Sequence, residues 1–306
     1  MAEQPELDLD KIIRRSRKFV EPYRVTGKNF RLKDIDPDDS GHLKAEDKPE
    51  AQEVLALGIQ ALSALQERLY AQNSWALLLV FQALDAAGKD SAIKHVMSGV
   101  NPQGCQVHSF KQPSAEDLDH DYLWRSAKAL PERGRIGIFN RSYYEELLVV
   151  RVHPELLSHQ QLPADAIHKG IWKERAEDIR SFERYLTHNG VLVRKFFLKV
   201  SKGEQRKRFL QRLDKPEKNW KFSASDLRER DCWDDYMTAY EDAIQRTATQ
   251  DSPWFVVPAD AKWYTRLVVA AAIIDALASL DLHFPTIDQD QKRELGRARR
   301  ILQRKR

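Results

Sequence analysis

Apolar positions along the chain recur with two periods. Between Glu50 and Gln72, Leu55, Ile59, Leu62, Leu65 and Leu69 fall on one stripe at helical spacing, which predicts a helix packed on a sheet. Strand-length segments follow at 75–81, 105–110, 135–139, 191–200 and 254–258. Most of them are continuously apolar, as expected for strands covered on both faces. Helical patterns stand between them: 91–98, about 115–129 with Ser114 as its cap, 168–188, 226–245 and 260–280. The inner face of 168–188 is Ile171, Trp172, Ile179, Phe182 and Leu186, and that of 260–280 is almost wholly apolar. Strands alternating with helices predict an α/β protein with a parallel sheet.

The first strand leads into Ala83-Leu84-Asp85-Ala86-Ala87-Gly88-Lys89-Asp90-Ser91. A buried strand, a loop of small residues, Gly-Lys and then a helix is the order of a phosphate-cradling loop. Small side chains let backbone N–H groups curl around phosphate oxygens, the helix N-terminus adds partial positive charge, and Lys89 adds a full one. The phosphate-binding set is Ala86, Ala87, Gly88, Lys89, Asp90 and Ser91. Two positions depart from the usual loop: Ala83 stands where a Gly is common, and Asp90 where a Ser or Thr follows the Lys. A carboxylate here repels anions unless a metal ion lies between, so Asp85 and Asp90 point to a divalent cation, with Asp85 as the metal ligand. An ordinary strand-to-helix turn explains Gly-Lys alone, but not the apolar run and the Asp that precede it.

The strand at 135–139 ends in Asn140-Arg141-Ser142-Tyr143-Tyr144-Glu145-Glu146. Polar residues at the carboxyl end of a parallel strand lie where ligands bind in open α/β sheets. Asn140 offers a neutral carbonyl, and Glu145 can supply the charge that supports a metal or an acceptor. Arg141 and Glu145 are also spaced as a plain helix-surface ion pair. Further on, a basic helix with Arg206, Lys207, Arg208 and Arg212 runs into Lys215-Pro216-Glu217-Lys218-Asn219-Trp220-Lys221-Phe222-Ser223. Basic helix, basic loop with interleaved aromatics, then helix is the pattern of a lid over phosphates.

Charge and composition narrow the partners less than the motifs do. The 306 residues carry a formal net charge of only +4, with basic residues crowded at 195–221 and 292–306; such clusters attract polyanions. Cys105 and Cys232 are far apart and in no metal or redox spacing, so a reducing compartment and a cytoplasmic protein are expected. No secretory signal is visible, and the longest apolar run, 267–280, is interrupted by Asp275 and too short to span a bilayer. Asp36-Pro37-Asp38-Asp39-Ser40-Gly41 mimics the opening of a calcium loop, but Asp47 stands at the twelfth position, so it is read as an acidic turn. The expected division is an extension at 1–48, a P-loop domain at 49–284 with its lid at about 201–225, and a basic helical tail at 285–306.

Several motifs in order resemble the polyphosphate kinase 2 family, and within it the class-three branch. They are Ala83-Leu84-Asp85-Ala86-Ala87-Gly88-Lys89-Asp90, Asn101-Pro102-Gln103-Gly104-Cys105, His120-Asp121-Tyr122-Leu123-Trp124-Arg125, Phe139-Asn140-Arg141-Ser142-Tyr143-Tyr144-Glu145 and Lys218-Asn219-Trp220-Lys221-Phe222-Ser223. The resemblance spans roughly Phe30 to Leu282. It implies a P-loop three-layer α/β/α sandwich with a helical lid, laid out like thymidylate kinases. The activity it implies is Mg²⁺-dependent, reversible phosphoryl transfer from inorganic polyphosphate to AMP and ADP, giving ADP and ATP. Asp85, Lys89, Arg141 and Glu145 become the catalytic set. Asn140, Arg141 and Glu145 become the acceptor side, Asn140 standing where other branches have Asp. Arg208, Lys221, Lys218 and Lys215 become the lid residues that hold the polyphosphate. A homo-oligomer is expected, with neither membrane nor nucleic acid as partner. Two rival readings remain: an ATP-dependent nucleotide kinase on the same fold, and a nucleic-acid-binding protein with a vestigial phosphate loop that relies on its basic tail.

Overall fold

The computed structural model describes residues 8–303. Its centre is a six-stranded sheet of β1 (Arg24–Val25), β2 (Ala76–Gln82), β3 (Cys105–Ser109), β4 (Ile136–Asn140), β5 (Val191–Lys199) and β6 (Trp254–Pro258), in the order β1-β6-β5-β2-β4-β3. All neighbours run parallel except β1, which pairs antiparallel to β6 through Arg24–Phe255 and Val25–Trp254. Every residue of β2 and β6 is buried, which is why those segments read as continuous apolar runs rather than alternations.

Helices cover both faces. In chain order they are α1 (Leu9–Val20), α2 (Lys48–Gln72), α3 (Lys89–Val96), α4 (Ala115–Leu118), α5 (Trp124–Lys128), α6 (Val149–Val152), α7 (Ile171–His188), α8 (Lys202–Asp214), α9 (Pro216–Asn219), α10 (Ala224–Asp231), α11 (Trp233–Thr247), α12 (Lys262–Ala278) and α13 (Gln289–Gln303). Alternation along β2 divides the core. Leu77, Leu79 and Phe81 face α2, α3 and α12, with Leu62, Leu65, Leu69, Val268, Ala272 and Ile273 in one cluster. Leu78 and Val80 face α7 and α11, with Ile179, Leu186, Tyr240 and Ile244 in the other. The result is the expected three-layer sandwich. No helix among the described residues is long and apolar enough to cross a membrane.

Three expectations need correction. The helix expected at about 115–129 is two short ones, α4 and α5, separated by residues 119–123. Ahead of the second, the Asp121 carboxylate accepts from the Leu123 amide in a local turn, and such local bonding by Asp competes with helix continuation. The helix expected at 226–245 breaks at Cys232 into α10 and α11. The first 48 residues, expected as an extension, are from residue 8 onward built into the fold. Helix α1 packs against α12, where Arg17 pairs with Asp275 at 2.8 Å. Tyr23 bonds Asp39 at 2.6 Å and shares a 2.7 Å hydroxyl contact with Tyr264, and β1 extends the sheet. The acidic segment 36–41 is a turn closed on itself, the Asp36 and Asp39 carboxylates accepting from the amides of Asp38 and Gly41.

Candidate active site

The loop between β2 and α3 sits at the carboxyl edge of the parallel strands. Gly88 is the N-cap of α3 with φ +101°, a conformation that carries no steric cost only for glycine. Ala86 also has positive φ, at +63°, a strained setting of order 1 kcal/mol for an L-residue. That strain is held from behind by α8. Gln205 donates to the carbonyl of Asp85 at 2.9 Å. Arg208 Nη1 donates to the carbonyls of Ala86 and Ala87 at 3.1 and 2.7 Å. Three successive carbonyls are thus drawn toward α8. The first amide bonded back inside the helix is that of Ala92, to Gly88, which leaves the amides of Lys89, Asp90 and Ser91 free for an anion.

Lys89 opens α3 and has no hydrogen-bond or ion-pair partner among the described residues. Burial and then the neighbouring Arg141 guanidinium lower its pKa to about 8, against the counter-pull of Glu145, Asp85 and Asp90. It is a partly dehydrated cation that a phosphate would restore to full charge.

Arg141, just past β4, is the hub of the opposite wall. Its Nη1 donates to Glu145 at 3.0 Å and its Nη2 to Asp85 at 3.1 Å. Glu145 and then Asp85 keep its pKa above the ordinary arginine value against the effect of burial. Its φ of +65° is a second strained non-glycine setting beside the loop, and such settings gather at functional sites. Glu145 lies in a single 3₁₀ turn, Tyr143–Glu146. It is gripped on its other oxygen by Gln82 Nε2 at 2.8 Å. Asn140 Nδ2 donates to Asp90 Oδ1 at 2.9 Å. Asp85, Lys89, Arg141, Glu145 and Asn140 therefore lie together.

The lid residues divide. Lys218 and Lys221 line a cleft of about 480 Å³ together with the phosphate loop, Asn140 and Arg141. Trp220 is 78% exposed at its lip, with Lys221 Nζ 5.0 Å from its ring. Lys215 is exposed and lies outside that lining. Arg208 lines the cleft but is 5% exposed, and all five of its N–H donors are engaged. Nε meets Glu204 at 2.9 Å, Nη1 the two loop carbonyls, and Nη2 the carbonyls of Ala259 and Asp260 at 2.7 and 2.9 Å. The expected role for Arg208, a free cation on the substrate chain, is corrected: its guanidinium buckles the phosphate loop to α8 and to the end of β6. The sequence showed a basic helix but not which of its charges faces inward.

Lining this cleft are eight basic side chains against two carboxylates, Asp85 and Asp90, an imbalance suited to a polyanion. Among the described residues no group of three or more His, Cys, Asp or Glu is placed to hold a metal by protein ligands alone. That donor set still fits Mg²⁺, which is commonly held by one or two carboxylates together with substrate phosphates and water. Asp85 is the carboxylate in position. Asp226 of α10 also faces the site: burial first, and then the charge of Asp85, raise its pKa.

Sequence reasoning missed three contributors. Gln82 and Gln205 are neutral, and nothing in an apolar strand or a basic helix marks them. Lys262, at the start of α12, lines the cleft, although the pattern there reads only as a closing apolar helix.

Comparison with known proteins agrees with this geometry. Residues 44–285 match the family model for polyphosphate kinase 2. An ADP-polyphosphate phosphotransferase of Rhodopseudomonas palustris is 54% identical over 258 residues, covering 84% of this chain and 89% of that one. An AMP/ADP-polyphosphate phosphotransferase of Meiothermus ruber is 43% identical over 267 residues, covering 87% and 96%. The crystal structure of a polyphosphate kinase 2 from Arthrobacter aurescens superposes with a TM-score of 0.82 at 39% identity, over 92% of this chain and 96% of that one.

Proposed function

The chain belongs to the polyphosphate kinase 2 family, and on that premise we propose that it is a polyphosphate-dependent nucleotide kinase. It moves a phosphoryl group reversibly between inorganic polyphosphate and adenine nucleotides, converting AMP to ADP and ADP to ATP. The observation that carries this is Lys89 at the floor of a cleft whose lining also holds Lys111, Lys218, Lys221 and Lys262, none of them ion-paired among the described residues. A linear polyanion matches that surplus, whereas two bound nucleotides, as in an ATP-dependent kinase, need fewer cations.

A terminal phosphate oxygen of AMP or ADP, already deprotonated at neutral pH, attacks the end phosphorus of the chain. The bond to the bridging oxygen breaks, and the shortened chain leaves with the electron pair. No general base is required. The protein supplies in-line positioning and neutralisation of the equatorial oxygens. Lys89 and the free amides at the start of α3 hold the transferring group. Arg141, fixed by Asp85 and Glu145, presents a guanidinium of set orientation to the acceptor phosphate. Lys218 and Lys221 hold the chain from the lid. Mg²⁺ bound with Asp85 would add charge neutralisation between chain and acceptor.

Acceptance of AMP as well as ADP rests on Asn140. Its amide donates to Asp90; an Asp at 140 would face that carboxylate with no proton to give. The test is purified protein with Mg²⁺, long-chain polyphosphate and AMP or ADP as sole acceptor, following ADP and ATP by chromatography. Both acceptors are expected to be phosphorylated. Activity with ATP as donor to AMP but none with polyphosphate would transfer the assignment to the rival kinase. The homo-oligomer and the cytoplasmic location belong to this proposal and are open to sedimentation and fractionation.

A further inference from the structure

The cleft does not end at the lid. A groove of about 410 Å³ continues from it between the start of α2, the outer face of α8 and the start of α12, and the two hollows share Gln211 and Lys262 in their walls. Four cations line it, Lys48, Lys207, Lys262 and Arg266, against Glu204 and Asp260. Both carboxylates are already committed. Glu204 takes Arg208 at 2.9 Å and Lys207 at 3.3 Å, and Asp260 Oδ1 accepts from the amide of Ser201 at 2.8 Å. Lys48, Lys262 and Arg266 have no carboxylate partner among the described residues. Arg266 bonds Ser91 Oγ, in the first turn of α3, through Nη2 at 3.1 Å, while its Nε is buried and unpartnered. Burial and then the charges of Arg208 and Lys218 push the Lys262 pKa down. Unpaired cations crowded along a polar trough favour an anion there.

We propose that this groove is a remote subsite for the phosphate chain, occupied by units far from the reacting end, and that it makes the enzyme discriminate by donor length. The inference rests on the proposed polyphosphate activity. A chain entering at Lys89 passes Lys262 at the junction and runs along α8 past Lys207 toward Lys48 at the start of α2. A donor of three phosphates fits within the first cleft and gains nothing from the groove. A long donor gains two exposed cations that touch none of the reacting atoms. Single-stranded nucleic acid is disfavoured by continuity: the groove opens into the phosphate-loop cleft, where an internal phosphodiester has no end to transfer.

The deciding variant is Lys48→Glu combined with Lys207→Gln. A carboxylate in the first turn of α2 suits the helix dipole, and Lys207 is an exposed member of a surface pair, so folding is preserved. Turnover with tripolyphosphate and ADP is expected within about twofold of the parent. KM for long polyphosphate is expected to rise about tenfold, the scale set by removing two solvent-exposed charge pairs. Calorimetric titration with the same two donors, without acceptor, is expected to show the same selective loss, and reads the groove even in a protein that transfers nothing. Equal effects on both donors, or none on the long one, would overturn the subsite. An oligouridylate that binds the parent as tightly as long polyphosphate, and is lost equally in the variant, would also overturn it. Absence of transfer from every polyphosphate with selective binding intact would instead defeat the activity and leave the groove standing.

Discussion

Two regions face each other across the cleft, and they are built oppositely. The wall formed by the phosphate loop and the end of β4 is knit by buried or half-buried bonds: Arg141 to Asp85 and Glu145, Gln82 to Glu145, Arg208 to four carbonyls. The opposing tip, α9 with Trp220 and Lys221, is exposed and tied down by few side-chain bonds, such as those from Asn219 to the carbonyls of Arg212 and Leu213. Preorganised charge stabilises a transition state without reorganisation at the moment of reaction, whereas a segment that must admit a long polymer belongs at the low-stability end of the fold. The same cationic residue type therefore does different work on the two sides. On the wall its geometry matters, and at the tip its charge.

The largest expected effect breaks the wall at its free cation. Lys89→Ala is expected to fold with a melting temperature at or above the parental one near neutral pH, since it removes a cation that burial disfavours, and to lose on the order of a hundredfold or more in kcat, measured by ATP formation. Near-parental turnover would show that the loop is not where transfer occurs. Next comes Arg208→Ala, which leaves four buried carbonyls without donors and is expected to cost roughly 2–5 kcal/mol in chemical denaturation. Arg208→Lys is expected to recover only part, since an ammonium has three donors and no fork. A variant as stable as the parent would mean that Arg208 is a substrate ligand rather than a clasp.

The Lys89 ammonium sharpens the comparison through pH. With its pKa near 8 in the folded chain and 10.5 as its ordinary value, kcat/KM is expected to fall as pH rises through about 8, because the free enzyme loses the charge that meets phosphate. Stability has the opposite sign. Between about 8 and 10.5 the unfolded chain holds the proton more firmly than the folded one, so this group's contribution rises with pH over that window. Activity and melting temperature should move apart above pH 8 in the parent and not in a Lys89→Arg variant. Smaller is Trp220→Ala, expected to raise KM for polyphosphate a few-fold with no change in melting temperature. Smallest is deletion of residues 289–306. Helix α13 has no buried residue, and transfer is expected to stay near the parental rate; a large loss would revive the nucleic-acid reading of that tail.

Much of the wall was legible because its determinants are local. Apolar runs mark β2, β4, β5 and β6, and Gly88-Lys89 and Asn140-Arg141 follow strand ends, where an α/β sheet places ligands. The illegible part depends on contacts distant in sequence. Arg208 and Lys207 are adjacent and chemically alike, yet one is buried against Ala259 and the other is solvated; helical phase against an unseen neighbour decides between them. Gln82 looks like the polar end of a strand, and its role exists only because Glu145 arrives opposite it. Strand β1 is two residues long, too short for any period to register, and its pairing partner lies some 230 residues away. The break at 119–123 falls inside a helical pattern because a local turn closed on the Asp121 carboxylate overrides periodicity.

That short strand has a practical corollary. It lies along β6, whose Trp254 and Phe255 are fully buried. A polypeptide begun at residue 44, where the family match starts, would bare the backbone of an apolar ribbon to any passing chain. Such a shortened version should precipitate or self-associate while its chemistry remains intact, and material begun at residue 8 should stay monodisperse longer in storage.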